Sequence, residues 1–255
     1  MLGAVQSSSI SEAQNPSISH FELRMLPAER NSVRDLLSDL ERTRRVSCVL
    51  LSTDEPVAYD LQPEEKRLLS GKEVEKRRSD FLAGRAAANR ALRNLGIEAP
   101  GPVLQGKVRE PLWPDGIVGS ITHSHPWTVV AASRRSAVSA IGIDLESSVK
   151  IRKEDISGQI CTELELVWIR GFDDPSRALG MIFSSKEAVF KAFSPHCGRY
   201  FEFKDAQLAW IPEKRAFCGE LLVELNRKYT RGYEFQVHCR ANDEWIFAYL
   251  VEDAK

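Results

Sequence analysis

Hydrophobic positions along the chain follow two spacings, one typical of helices and one typical of strands. Residues 64 to 95 carry apolar side chains at helical spacing and end at Gly96, and Gly71 divides this segment into two predicted helices. Apolar, β-branched runs at 45 to 53 and 117 to 133 predict strands, the second run being a strand pair around a polar turn. The first half of the chain therefore mixes helices and strands.

The second half shows the same mixture. Residues 137 to 147 predict a strand, and residues 159 to 171 and 184 to 193 predict helices. Further strands are expected near 206 to 211, 217 to 224, 233 to 240 and 244 to 251. Helix followed by meander thus occurs twice, although no sequence repeat proves a duplication.

Composition narrows the cellular setting. The 255 residues are 43% hydrophobic with a net charge of -1, so the chain can build a large core and lacks the basic excess of non-specific nucleic-acid binding. The five cysteines are scattered with no C-x-x-C pair, which favours a reducing cytosol. Residues 1 to 20 match neither a signal peptide nor a membrane span and are expected to form a poorly ordered tail.

The stretch AIGIDLES holds a pair of carboxylates on a predicted strand. Side chains alternate along a strand, so Asp144 and Glu146 point the same way, about 7 Å apart. Two hard oxygen ligands suit Mg²⁺, or Mn²⁺, with positions left for water and substrate phosphates. The alternative is an amphipathic strand with a solvated acidic face.

The stretch FSSKEAVFKAF adds a carboxylate and two cations at the start of a predicted helix. Glu187 and Lys191 are four residues apart and therefore share one helix face, with Lys186 beside them. A carboxylate with two ammonium groups near a helix N-terminus could handle a phosphate. The alternative is an S-x-x-E capping box from Ser184 with an ordinary surface ion pair.

Other candidate phosphate ligands lie in the first half. His123 and His125 have no third strong ligand for zinc nearby in sequence, so a histidine that donates to phosphate, or a structural histidine, is the better interpretation. Arg85 lies among small residues in LAGRAAA, and Arg109 lies in the turn-rich linker. The chain lacks the signatures of dinucleotide oxidoreductases, P-loop enzymes and α/β-hydrolases.

Taken in order, the motifs GSITHS, GIDLE and FSSKEAVFKAF resemble those of the 4'-phosphopantetheinyl transferases. The flanking stretches REPLWPDGIVGSITHS, FLAGRAAA and GRYFEFKDA are similar to the enterobactin-synthetase-component-D-like branch of the larger, Sfp-type enzymes. The resemblance covers residues 45 to 250. It implies a pseudo-dimeric monomer with two similar α+β halves, residues 21 to 142 and 143 to 255, and an active site at their junction.

The resemblance also implies a reaction and a set of residues. The enzyme would move the 4'-phosphopantetheine arm of coenzyme A to a serine of an apo acyl or peptidyl carrier protein and release 3',5'-ADP, in the cytoplasm and with Mg²⁺ (Mn²⁺ being possible). Its metal ligands would be Asp144, Glu146 and Glu187, and its catalytic residues Glu187, Lys191 and His123. Coenzyme A would be held by Arg78, Arg85, Arg109, Thr122, His123, Lys186 and Lys191.

Two other function classes fit the same residues. A metal-dependent nuclease or phosphodiesterase also uses Asp-x-Glu with a further Glu and Lys, although the near-neutral charge argues against nucleic acid as a partner. A non-catalytic module that binds coenzyme A or a carrier protein is the third class, and it would have no need of a base such as Glu187. The carrier itself, whether of siderophore, polyketide or fatty-acid synthesis, stays open.

Overall fold

A computed structural model describes residues 33 to 254, except 55, 70, 72–73, 108, 149–155 and 198–199. These residues belong to one compact unit. The predicted tail at 1 to 20 lies outside the described residues, as does the beginning of the first predicted half, from residue 21 to residue 32. None of the described helices is long and apolar enough to cross a membrane.

The first half consists of a three-stranded antiparallel sheet covered by a long helix. Its strands lie in the order β1-β5-β4, and α3 packs on β1 and β5 through buried alanines at 87, 88 and 91. A two-stranded hairpin, β2-β3, precedes β4. The elements are α1 Val33–Glu41, β1 Ser47–Ser52, α2 Pro63–Lys66, α3 Glu75–Asn94, β2 Leu104–Gln105, β3 Pro111–Leu112, β4 Ile117–Ser124 and β5 Trp127–Arg134.

The second half consists of a five-stranded sheet and a second long helix. The strand order is β6-β10-β9-β8-β7, and α6 packs on β6 and β10. The elements are β6 Val138–Ser147, α4 Ser157–Ile160, α5 Glu163–Arg170, α6 Pro175–Cys197, a 3₁₀ turn Phe203–Asp205, β7 Ala206–Ile211, a 3₁₀ turn Pro212–Lys214, β8 Ala216–Leu221, β9 Glu234–Ala241 and β10 Trp245–Asp253.

The two halves have part of their strand order in common. The first strand lies beside the last strand in each sheet, β1 beside β5 and β6 beside β10, but the second sheet has five strands and the first has three. The expected α+β class is confirmed, and the division into two similar halves stays a prediction. The division predicted at 142/143 falls inside β6, which pairs with β10 from Val138 to Ser147. The change of sheet comes earlier, in the turn at 135–137.

Side chains of β4 connect the two sheets. The backbone N–H of Ile143 donates to Ser120 Oγ at 3.2 Å, and that of Leu145 donates to Thr122 Oγ1 at 3.2 Å. The hydroxyl groups thus satisfy buried amides on the edge strand of the second sheet, which would otherwise lack partners. Strand β6 is held against the first half where it carries its carboxylates.

Close contact between α6 and β6 depends on Gly142. A Cβ atom at this position would lie 1.8 Å from the carbonyl oxygen of Ala188 and 2.7 Å from the backbone nitrogen of Ala192. Because both atoms belong to the helix backbone, no side-chain rotation could relieve the overlap. The helix therefore reaches β6 only because residue 142 has no side chain.

We predict that Gly142→Ala destabilises the protein and displaces α6. The unavoidable overlap should lower the free energy of unfolding by about 2 kcal/mol or more, measured by urea denaturation. Gly101→Ala is the matched control, since a Cβ there meets nothing within 4 Å. Equal stability of the two variants would contradict the close packing described here.

Candidate active site

Asp144 is the buried centre of the candidate site. It is 2% exposed, so the alternative of a solvated acidic face does not apply to it. Its Oδ1 accepts hydrogen bonds from Thr122 Oγ1 at 3.1 Å and from Lys191 Nζ at 2.6 Å. Its Oδ2 is buried and has no hydrogen-bond partner. A buried carboxylate with one satisfied and one open oxygen is suited to a further cationic ligand.

Helix α6 supplies the other charged groups of the site. Ser184 Oγ donates to the carbonyl oxygen of Asp144 at 3.3 Å, and Glu187 and Lys191 follow on the next two turns of the helix. Glu187 and Glu146 are half-buried. The site therefore combines carboxylates from a strand and a helix around one ammonium group.

The pKa values of Glu187 and Lys191 depend on burial and on the charges of their neighbours. Burial raises the pKa of Glu187, the nearby Asp144 carboxylate raises it further, and Lys191 partly offsets both effects. Burial lowers the pKa of Lys191, but the carboxylates of Asp144, Glu187 and Glu146 outweigh burial and raise it above its ordinary value. Lys191 therefore remains an ammonium ion at neutral pH, and the Glu187 carboxylate is more basic than usual.

The three carboxylates form a suitable donor set for a hard divalent cation. Mg²⁺ prefers carboxylate oxygens, and Oδ2 of Asp144 has no hydrogen-bond partner that would compete with such an ion. Within the described residues, however, no three His, Cys, Asp or Glu side chains converge closely enough to hold an ion, and Lys191 occupies the other oxygen of Asp144. The chemistry of the donors fits Mg²⁺, and the metal-ligand assignment stays a prediction.

His123 lies near the end of β4, beside the charged cluster formed by Asp144, Glu187 and Lys191. Its Nδ1 shares a hydrogen bond with Thr128 Oγ1 at 2.9 Å, which orients the ring. The residue is exposed, yet desolvation by the surrounding protein lowers the pKa of His123. The Asp80 carboxylate opposes this shift, and the Lys191 and Arg85 cations lower the pKa further. The ring is therefore neutral at pH 7 and can donate one hydrogen bond from Nε2.

Helix α3 brings Arg85 near this histidine. A Cβ at Gly84 would lie 2.9 Å from Cε1 of His123, so the glycine permits close contact between α3 and β4. Arg85 is 6% exposed, its guanidinium lies 4.3 Å from the ring centroid of Phe81, and its buried Nε has no hydrogen-bond partner. An incompletely bonded guanidinium is suited to an anionic ligand.

The other predicted cations have different surroundings. Arg78 on α3 and Arg109 in the turn between β2 and β3 are exposed, and neither forms an ion pair with a described residue. His125 contacts a different residue from His123: its Nδ1 shares a hydrogen bond with Thr53 Oγ1 at 3.2 Å. The structure thus leaves Arg78 and Arg109 available for a ligand without joining them to the cluster.

Lys186 does not join the cluster. Successive helical residues are about 100° apart, so Lys186 faces away from the side shared by Glu187 and Lys191. It is 2% exposed, and its ammonium group contacts the Glu165 carboxylate at 2.7 Å and donates to two backbone carbonyl oxygens. The expectation that Lys186 binds coenzyme A disagrees with these contacts.

Sequence reasoning did not single out Ser120 and Glu165. Ser120 lies within GSITHS, where only the histidine and threonine attract attention. Glu165 completes a capping box with Thr162, a signal that indicates a helix start and says nothing of its buried partner. Both residues become visible only through their contacts with the second sheet and with α6.

Comparison with known families gives consistent matches in both halves. Residues 64–133 match the 4'-phosphopantetheinyl transferase N-terminal domain, and residues 140–249 match the 4'-phosphopantetheinyl transferase superfamily. The 4'-phosphopantetheinyl transferase Svp of Streptomyces mobaraensis is 35% identical over 173 residues, which cover 67% of this chain and 69% of that one. The chain therefore belongs to the 4'-phosphopantetheinyl transferase superfamily, and it is an enzyme of that class.

Further relatives extend the comparison. The 4'-phosphopantetheinyl transferase Npt of Nocardia iowensis is 33% identical over 66% of this chain and 78% of its own. Enterobactin synthase component D of Salmonella typhi is 36% identical over 47% of this chain and 49% of its own. Among solved structures, the holo-[acyl-carrier-protein] synthase of Thermotoga maritima matches with a TM-score of 0.36 and 18% identity, over 47% of this chain and 66% of that one.

We predict that Thr122→Val weakens the junction at the site. Valine has nearly the same shape, but it removes both the donor to Asp144 and the acceptor of the Leu145 amide. The free energy of unfolding should fall by about 1–3 kcal/mol, measured by urea denaturation. Thr230→Val, at an exposed threonine between β8 and β9, should change it by about 0.5 kcal/mol or less. A similar effect of both substitutions would refute the role of Thr122.

Proposed function

We propose that this enzyme transfers the 4'-phosphopantetheine arm of coenzyme A to a serine of an apo carrier protein, with release of 3',5'-ADP. The observation that carries the proposal is the cluster of Asp144, Glu187 and Lys191, which meets His123 at the junction of the two halves. Family membership supplies the reaction class. The cluster supplies the groups that such a reaction needs at a pyrophosphate and at an attacking hydroxyl.

The cations of the site bind and orient coenzyme A in this proposal. Arg85, Arg78 and Arg109 grip phosphate oxygens with their guanidinium groups. Neutral His123 donates a hydrogen bond from Nε2, and the Lys191 ammonium ion holds the oxygens of the reacting phosphate. The buried Nε of Arg85, which lacks a partner, supports its part in this arrangement.

Glu187 is the proposed general base. The serine oxygen forms a bond to the phosphorus that carries the pantetheine arm, and the bond from that phosphorus to 3',5'-ADP breaks. The serine proton passes to the Glu187 carboxylate, whose raised pKa makes it a better acceptor than an ordinary glutamate. We assign Asp144, Glu146 and Glu187 as the residues that would hold Mg²⁺, which would neutralise charge on the pyrophosphate when bound.

We further propose a monomeric, cytoplasmic enzyme whose partners are coenzyme A and acyl or peptidyl carrier proteins. Both sides of the site come from one chain, β4 from the first half and β6 with α6 from the second. All five cysteines are free thiols, which is consistent with a reducing compartment. Relatives named enterobactin synthase component D make a carrier domain of siderophore synthesis a reasonable first substrate to test.

The decisive experiment is intact mass spectrometry of carrier proteins. An apo acyl carrier protein and an apo peptidyl carrier protein are each incubated with the enzyme, coenzyme A and Mg²⁺, and a parallel sample contains EDTA. We expect a mass gain of one phosphopantetheine arm that is lost in EDTA. No gain despite coenzyme A binding would favour a binding module. Cleavage of phosphodiesters without coenzyme A binding would favour the phosphodiesterase.

In the same assay, Glu187→Gln should keep the fold and reduce the transfer rate by about 100-fold or more, because glutamine cannot accept the serine proton. Glu213→Gln is the matched control, since Glu213 is exposed on a 3₁₀ turn. Circular dichroism of both variants checks the fold. Near-normal turnover of Glu187→Gln would remove the residue from the mechanism.

A further inference from the structure

A fully buried ion pair lies next to the site, on a different face of α6 from Glu187 and Lys191. The Lys186 ammonium group contacts Glu165 Oε2 at 2.7 Å, and the two side chains are 1% and 0% exposed. Lys186 Nζ also donates to the carbonyl oxygens of Ile160 at 2.8 Å and Phe203 at 2.9 Å. All three donors of the ammonium group are thus used within the protein.

The carboxylate of Glu165 is equally well bonded. Its Oε2 accepts from the backbone N–H of Thr162 at 2.7 Å, and its Oε1 accepts from that of Leu208 at 2.8 Å. Together the two side chains connect α6 to the end of α4, the start of α5, the 3₁₀ turn at 203–205 and strand β7. The pair therefore determines how α6 sits on the surrounding second half.

The position of the pair relates it to the reacting groups. Lys186 immediately precedes Glu187, so a change in the seating of Lys186 moves the backbone that carries the proposed base. Both residues also line a cavity of about 120 Å³ between α6 and residues 200–206. Phe190, Tyr200 and Phe203 are among its other walls. The 3₁₀ turn whose carbonyl oxygen accepts from Lys186 thus forms one wall of the cavity beside Glu187.

Stability alone does not account for this pair. Removing two charges from water is costly, and a buried ion pair is often no more stabilising than apolar residues of similar volume. Its directed hydrogen bonds instead select one arrangement of the segments that it joins. Apolar side chains in place of the pair would fill the same volume but would not fix the position of α6 along its axis or its rotation about that axis.

We propose that Lys186 and Glu165 are positioning residues of the transfer reaction, which hold Glu187 and the adjoining cavity wall in the productive arrangement without contacting coenzyme A. The inference rests on the proposed function. Glu165 distinguishes it from direct binding by Lys186, because a fully buried carboxylate in the second half cannot touch the phosphates, yet its loss should reproduce the loss of Lys186.

The test compares Lys186→Met, Glu165→Gln and the double variant with the wild type. Lys204→Met is the matched control, because Lys204 is exposed on the same 3₁₀ turn. We expect kcat for carrier modification to fall about 10- to 100-fold in all three variants, since small displacements of a reacting group have effects of this size. The KM and the calorimetric Kd for coenzyme A should change by about threefold or less, as is typical when only transition-state interactions are lost.

Thermal unfolding separates positioning from stability. Each single variant leaves a buried charge or donor unpaired and should lower Tm, whereas the double variant removes both charges and should regain most of that loss. We expect kcat of the double variant to remain low even so. Recovery of kcat together with Tm would show that the pair is merely structural and would overturn the proposal.

Two other outcomes are equally informative. A rise of about tenfold or more in the Kd for coenzyme A in Lys186→Met, with no change in Glu165→Gln, would assign Lys186 to coenzyme A and overturn the proposal. Absence of transfer by the wild type would instead disprove the proposed function, and the positioning role would fall with it. The wild-type control therefore separates the two failures.

Discussion

The buried carboxylate of Asp144 is the constraint on which the arrangement of the site depends. A charge that is 2% exposed requires compensation, and two different parts of the molecule provide it. Thr122 donates from the first half, and Lys191 donates from α6 in the second. Satisfying this one group therefore fixes strand β4, strand β6 and helix α6 relative to one another, and its remaining oxygen is buried without a hydrogen-bond partner.

The positions of the other elements follow from that constraint. Helix α6 can approach β6 only across Gly142, and β6 can meet the first half only because Ser120 and Thr122 accept its amides. The helix then presents two faces with different tasks. Glu187 and Lys191 face the junction, while Lys186 faces the interior and ties the helix to Glu165. Helical geometry accounts for this difference, because residues four apart share one face of the helix and adjacent residues are about 100° apart.

A single chain supplies both sides of the site. Each half consists of a sheet covered by a long helix, and each half contributes groups that the other lacks. The first half brings His123 and the guanidinium of Arg85, which favour an anion. The second half brings carboxylates, which favour a cation, so a phosphate paired with a divalent ion matches the two sides together.

Much of this protein could be read from its sequence, because the relevant signals are local. Helical and alternating spacings predicted α3 and the strands near their observed bounds, but α6 begins at Pro175, nine residues before the predicted start, and continues to Cys197. The sequence also placed Glu187 and Lys191 on one helix face. The motifs also indicated the family, which the comparisons confirmed. The division expected at 142/143 falls inside β6, because local patterns do not show that β6 pairs with β10 from Val138 to Ser147.

Only the tertiary structure decided which charged residues are buried together. Asp144 and Lys186 look alike in the sequence, as charged residues within apolar runs, yet Asp144 keeps one oxygen without a hydrogen-bond partner and Lys186 is fully bonded to Glu165 and two carbonyl oxygens. Their environments are set by contacts between residues far apart in the chain, and periodicity carries no information about those contacts. The sequence determined the elements, the family and the chemical groups available. The packing of α6 on β6 and β10, beside β4, determined which of those groups lie together.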